Sequence, residues 1–304
     1  MKLRNGAHVD RILDINPTAT SAIAQHNASS PLLRLPLEVK SLIYKYTFGG
    51  QLVHIVQNPD EGAAKFRNTI CRAPISEEEA QEKFDSESTH HWYAPANEGR
   101  HGCCDLKDIE AIIDGTPEKK PEILSLSLLR CCRQIYNEAH HVPYSANTFS
   151  CATPDTLQSF ILSLAQGNHE NHLAVRSLFI EMVFKGTIHH NVWRKALGTC
   201  AKYLKNLQNV NISFEWNCCP WMWGARSPAD FERKGRGWQS PLMSDILMLK
   251  KLPLKFATFV ISDEEIGHCL KRMSQWWITD EAANRWTLAE KQEWARYVKE
   301  IILK

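Results

Sequence analysis

Apolar positions along this chain recur with a helical period in some stretches and a strand period in others, and the changes of period mark its elements. In the segment PLLRLPLEVKSLIYKYTFGG at 31–50, Leu35, Val39, Leu42, Ile43 and Tyr46 fall at i, i+4, i+7, i+8 and i+11, which makes one continuous helical stripe. Glu38, Lys40, Ser41 and Lys45 take the other side. Pro36 suits a first helical position, where its missing N–H costs nothing, and Gly49 with Gly50 supplies the stop. The run QLVHIV at 51–56 reads as a strand. At 125–149 the helical spacing returns through Leu128, Leu129, Cys132, Ile135, Tyr136 and Ala139. Pro143 is expected to end that helix by restricting the residue before it.

Beyond 150 helices and strands alternate. Thr153 and Pro154 open a helix whose apolar face is Leu157, Phe160, Ile161 and Leu164, closed by Gly167. The run VRSLFIEMVF at 175–184 is apolar on both faces, as in a covered parallel strand. A helix at about 191–206 uses Trp193, Leu197, Cys200 and Leu204. The strand at 209–216 alternates Val210, Ile212, Phe214 and Trp216 with Asn211, Ser213 and Glu215, so one face is buried and the other wetter. Ser240 and Pro241 begin another helix, and 254–262 is the next strand. Capping boxes at Ser262/Glu265 and Thr287/Glu290 open two closing helices; the last, through Trp294, Tyr297, Val298 and Ile301, is expected to pack back on the sheet and close its last edge, with a partner-binding helix as the alternative.

These strands share a faint register. Asn147, Phe149 and Cys151 align with Leu178, Ile180 and Met182, then with Val210, Ile212 and Phe214, then with Ala257, Phe259 and Ile261. The fold class implied is mixed α/β: a short, largely parallel sheet with helices on one side, joined by right-handed crossovers and followed by C-terminal helices. The register looks like a degenerate leucine-rich repeat; a plain α/β layer is the alternative.

The pair LPLEV..LIY at 35–44 and LLRCCRQIYNEA at 128–139 resembles a divergent F-box, which opens on Leu-Pro and closes with a leucine-cysteine-arginine helix. Over about residues 30–215 the chain is similar to a group of fungal F-box-like proteins of uncharacterised function. The resemblance implies a loosely packed or disordered segment at 1–30, F-box-like helices at 31–150 split by a long insert at 59–121, and a repeat-like interaction domain with closing helices at 151–304. It also implies that Leu35, Pro36, Glu38, Val39, Ile43, Leu129, Cys132 and Ile135 meet the adaptor subunit of a cullin-RING ubiquitin ligase, with a protein substrate held by the α/β part and the Trp/Arg loop at 217–239. An F-box is compact, whereas here the insert separates its two helices.

Composition narrows the field. With 304 residues and 43% hydrophobic content the chain can build a sizeable core, and a net charge of +2 gives no basic face for nucleic acid. No stretch has the length and apolarity of a membrane span or a signal peptide, so a cytoplasmic or nuclear protein is expected. The 10 cysteines then read as reduced thiols. The insert gathers Cys71, His90, His91, His101, Cys103 and Cys104, ligand types suited to zinc, without the paired spacings of a zinc site, so a surface excursion is the plainer reading and no cofactor is expected. The loop at 217–239 sets Trp221, Trp223 and Trp238 among Arg226, Arg233, Lys234 and Arg236, the residue types that anchor partner surfaces; tryptophans plugging the end of the apolar layer are the alternative. His140 and His141 suit the negative end of the CRQIY helix. No phosphate loop, nucleophile elbow or metalloprotease helix occurs. The sequence therefore points to an interaction protein of F-box type, with a self-contained scaffold as the alternative and an enzyme of unrecognised type third. Exposure of the Leu35/Val39/Ile43 stripe separates the first two.

Overall fold

The computed structural model describes residues 29–57, 66–73, 75–86, 123–151, 153–167, 171–183, 189–215, 245–262 and 288–304. Helix α1 (Leu37–Phe48) leads into an antiparallel strand pair, β1 (Leu52–Gln57) and β2 (Phe66–Ile70), and then α2 (Glu77–Ser86). A 3-10 turn (Ser127–Arg130), α3 (Arg133–Ala139) and the single-turn α4 (Val142–Ser145) come next. An alternating series follows: β3 (Thr148–Cys151), α5 (Pro154–Gln166), the short α6 (Asn171–Ala174), β4 (Ser177–Val183), α7 (His189–Tyr203), β5 (Asn209–Glu215), a 3-10 helix (Leu247–Lys251), β6 (Phe256–Ser262) and α8 (Leu288–Leu303).

The strands form one sheet in the order β2-β1-β3-β4-β5-β6, parallel everywhere except between β1 and β2. Each crossover from β3 onward thus returns to the neighbouring position. α5 packs on α7, α7 on the 3-10 helix, and that helix on α8, so the connections lie side by side over one face. Their apolar stripes match the sequence pattern: Leu157, Phe160, Ile161, Leu164, Trp193, Leu197, Cys200 and Leu204 are all buried. They meet Val53, Ile55, Phe149, Cys151, Leu178, Ile180, Met182, Val210, Ile212, Ala257, Phe259 and Ile261 from the strands in one core. Burying each large aliphatic side chain stabilises by roughly 1.5–3 kcal/mol.

The expected register holds across three strands, with Leu178, Val210 and Ala257 in line and Ile180, Ile212 and Phe259 beside them. At β3 it slips by two residues: Phe149, not Asn147, stands opposite Leu178. A shift of two keeps side chains on the same face, so Phe149 and Cys151 still enter the core. Asn147 is held outside the ladder by hydrogen bonds to backbone.

The insert is more than a surface excursion. It contributes β2 and α2, and α2 packs against β6 at the far side of the sheet from β2. Ala80 and Phe84, spaced i and i+4, are buried there with the main core. Gln81 Oε1 accepts from the backbone N–H of Phe259 on β6. Gln292 of α8 in turn donates to the Phe84 carbonyl at 2.6 Å. The C-terminal helix packs on the sheet as expected, with Trp294 edge-on to Phe259 at 5.0 Å and 79°, whereas α2 supplies the hydrogen bond at the edge. The helix expected from Ser240 is described from Asp245 onward, where it runs into the 3-10 helix; the helix expected from Ser262 and residues 1–28 of the segment at 1–30 lie outside the described residues. No helix among the described residues is long and apolar enough to cross a membrane.

Candidate docking site

α1 begins after Pro36, whose φ of -52° and ψ of 148° place it just outside the helix. Its stop is steric. A Cβ on Gly49 would stand 2.5 Å from Ala146 Cβ and 2.8 Å from the Lys45 carbonyl oxygen, and Gly50 has φ 77°, the left-handed region that glycine tolerates. This close approach fixes the end of α1 against α4, where the Gly50 N–H donates to the Ala146 carbonyl at 2.8 Å. Asn147 completes the junction. Its side-chain oxygen accepts from the Gln51 N–H, and its amide donates to the Phe48 and Pro143 carbonyls.

The inner face of α1 is Lys40, Tyr44 and Phe48, spaced i, i+4 and i+8, and all three are buried. Tyr44 and Phe48 pack with Leu129, Ile135, Ala139 and Val142 in a second, smaller core. Lys40, expected on the solvent side, is 6% exposed because Glu138 of α3 draws it in. Lys40 Nζ lies 2.6 Å from Glu138 Oε1, Tyr44 Oη donates to Glu138 Oε2 at 2.9 Å, and Gln134 Nε2 donates to Oε1 at 3.0 Å. Burial by itself raises the Glu138 carboxyl. The three donors and the Lys40 charge outweigh it and hold the group below its ordinary value. The Tyr44 phenol is pushed up to about 12, by burial first and then by its bond to Glu138.

The partner segment is two helices rather than the single one expected from its spacing. The break is at Cys132, whose backbone is extended and whose Sγ accepts from the Ile135 N–H at 3.5 Å as the cap of α3. Pro143 sits in the first turn of α4 instead of ending α3. His140 follows α3 and stacks on Tyr136 at 5.3 Å and 20°; burial and the neighbouring His140 charge lower the His141 imidazole.

The outer face of α1 is where the apolar stripe lies. Val39 is 41% exposed, Leu42 55% and Tyr46 88%, with Leu37 also exposed and Leu35 and Ile43 half-buried. At 100° per residue, Val39, Leu42 and Tyr46 centre almost opposite the Lys40/Tyr44/Phe48 face. The helix therefore carries two apolar faces, one packed in the small core and one in water. Of the other residues the resemblance implicates, Pro36 and Glu38 are exposed, Cys132 is half-buried, and Leu129 and Ile135 lie inside the small core. The insert does not keep the two F-box-like segments apart, since Tyr44 and Phe48 of one pack with Leu129 and Ile135 of the other in the small core. The signal the sequence reading missed is the Tyr44/Phe48 pair at i and i+4, hidden beside the longer stripe.

Cys71 is half-buried and its Sγ accepts from the Ala73 N–H at 3.3 Å. The other zinc candidates, His90, His101, Cys103 and Cys104, lie outside the described residues, as do Trp221, Trp223, Arg226, Arg236 and Trp238. Among the described residues no three His, Cys, Asp or Glu side chains gather as a metal site.

The model of a family described as a domain of unknown function, DUF7730, matches residues 24–196. No curated protein and no solved structure matches the chain.

Proposed function

This chain belongs to the DUF7730 family, and we propose that it is a protein–protein interaction module that docks through the outer face of α1 on the adaptor subunit of a cullin-RING ubiquitin ligase. The observation that carries the reading is the outward stripe of Val39, Leu42 and Tyr46 on a helix whose inner face is already satisfied. A helix needed only for its own core has no use for a second apolar face. Anchors at i, i+3 and i+7 are the spacing with which a helix seats in an apolar groove. The adaptor is chosen as occupant because the F-box resemblance falls on this helix and on the segment that packs behind it. The α/β part holds the substrate in this reading, and the register of β4, β5 and β6 supports taking that part as a degenerate leucine-rich repeat.

Biolayer interferometry with purified adaptor tests the proposal. Wild-type chain is expected to bind, and a Val39→Asp, Leu42→Asp variant with an unchanged melting temperature to bind at least about tenfold more weakly. Equal response from both proteins, or none from wild type, rejects it. The rival reading, a self-contained scaffold, draws on the burial of Leu129 and Ile135 and on Leu35, Ile43 and Cys132 being half-buried, so that of the implicated residues Pro36, Glu38 and Val39 are the exposed ones.

A further inference from the structure

Beside Ala146 and Asn147 at the α1–α4 junction, and apart from the outer face of α1, the polar face of the sheet opens near the starts of the strands into a cleft of about 180 Å³. Glu78 of α2 and Arg176, just before β4, both line it. Neither has an ionic partner among the described residues, each other included. Arg176 donates Nη1 to the Asn206 carbonyl at 2.9 Å, which leaves most of the five guanidinium N–H donors uncommitted. Two strand amides join them. Asn211 is 4% exposed; its Oδ1 accepts from Thr258 Oγ1 at 2.9 Å, so its amide donors are what it offers the cleft. Asn209, two residues earlier, lines the same space and its side chain has no hydrogen-bond partner among the described residues. Phe256, partly exposed, adds an apolar wall.

The backbone that carries Arg176, Asn209 and Phe256 is tied together. The Arg176 carbonyl accepts from the N–H groups of Gln208 and Asn209, both at 2.9 Å, and the Gln208 carbonyl accepts from Lys255 at 2.7 Å, so the strand starts are tied to one another. At ~30 Å³ per water the cleft has room for about six waters, below the roughly 300 Å³ at which pockets for cofactor-sized ligands begin. One residue-sized group fits. An arginine fork with two amide donors matches a planar carboxylate, while Glu78 in the same cleft repels a phosphate dianion and attracts an N–H donor or ammonium.

We infer that this cleft binds an α-carboxylate together with the nitrogen beside it, as presented by a free amino acid or by the C-terminal residue of a peptide. Arg176, Asn209 and Asn211 take the carboxylate, Glu78 takes the nitrogen, and Phe256 flanks the side chain. The inference stands independently of the docking face on α1.

The test is side-chain NMR of the isotope-labelled full chain, following Arg Nε–H and Asn amide signals during titration with free amino acids, N-acetylated amino acids, their C-terminal amides and inorganic phosphate. Saturable shifts at Arg176, Asn209 and Asn211 are expected with the carboxylates and not with the amides. Arg176→Gln should weaken binding at least about tenfold, and Arg176→Lys should weaken it less. Glu78→Gln alters an exposed side chain and leaves Arg176 in place, so it tests the cleft without risk to the fold; it should weaken the free amino acids more than the acetylated ones. Tighter binding of free amino acids identifies a small-molecule site, and tighter binding of acetylated ones a peptide terminus. No saturable shift by about 10 mM, equal shifts from acids and amides, preference for phosphate, or an unaffected Glu78→Gln variant overturns the inference.

Discussion

Replacing Lys40 by Met removes one charge from the α1–α3 contact while keeping the length and apolar stem of the side chain. The bond lost is a charge-assisted one of 2.6 Å between groups whose side chains are 7% and 19% exposed, so solvent screening discounts it little. Hydrogen bonds to charged groups contribute about 1.5–3 kcal/mol. Glu138 keeps Tyr44 and Gln134 as donors, which places the expected loss near the lower end, about 2 kcal/mol or roughly 30-fold in the local opening equilibrium. Hydrogen–deuterium exchange of the α1 amides reads that equilibrium directly. The pH dependence gives a second check. The Glu138 carboxyl is held below its ordinary value in the folded chain, so its stabilisation is fully present above the unfolded value and is lost as pH falls through the folded one. The difference between variant and wild type should therefore be largest at neutral pH and shrink in acid. Exchange in α1 that is unchanged by Lys40→Met, or a difference that grows as pH falls, would refute the reasoning.

Gly49→Ala should destabilise the α1–α4 junction by about 1–3 kcal/mol, measured as a lowered urea midpoint, because the added methyl meets Ala146 Cβ; an unchanged midpoint counts against the contact. Asp245→Asn should raise stability at neutral pH. Asp245 is 1% exposed, and Arg194 Nε, 3.3 Å away, is too poorly aligned for a hydrogen bond. Burial pushes the carboxyl up to about 6 against the pull of Arg194. An acid raised in this way loses stability as pH rises from about 4 to 6, by up to ~3 kcal/mol, so the gain should vanish at pH 4 and an equal gain at both pH values contradicts it. In alkylation followed by mass spectrometry, exposed Cys131 should label in the native chain, while Cys151 and Cys200 should label only on unfolding. Burial raises both of those thiols, Cys200 to about 12. Labelling of Cys200 at the Cys131 rate would contradict its place in the core.

The sheet and its covering helices were legible because their apolar residues point one way. Trp193, Leu197, Cys200 and Leu204 have a single face to bury, and the alternation in β5 assigns Val210 and Ile212 to the core. α1 was harder to read because it has two apolar faces. The stripe from Leu35 to Tyr46 outweighs Tyr44 and Phe48 in any pattern search, yet Tyr44 and Phe48 are the ones packed, and Lys40 joins them through a carboxylate 98 residues away. The break at Cys132 left no proline or glycine to announce it. α2, acidic in its first turn, reads as solvated chain until Ala80 and Phe84 find the main core.

A photo-cross-linking residue in place of Tyr46, with another in place of Gln134 behind the helix as control, tests the docking face most directly. After illumination with the adaptor, cross-linking from position 46 and little from position 134 is expected. An adaptor that cross-links only from position 134, or from neither, contradicts the assignment of α1's outer face as the docking surface.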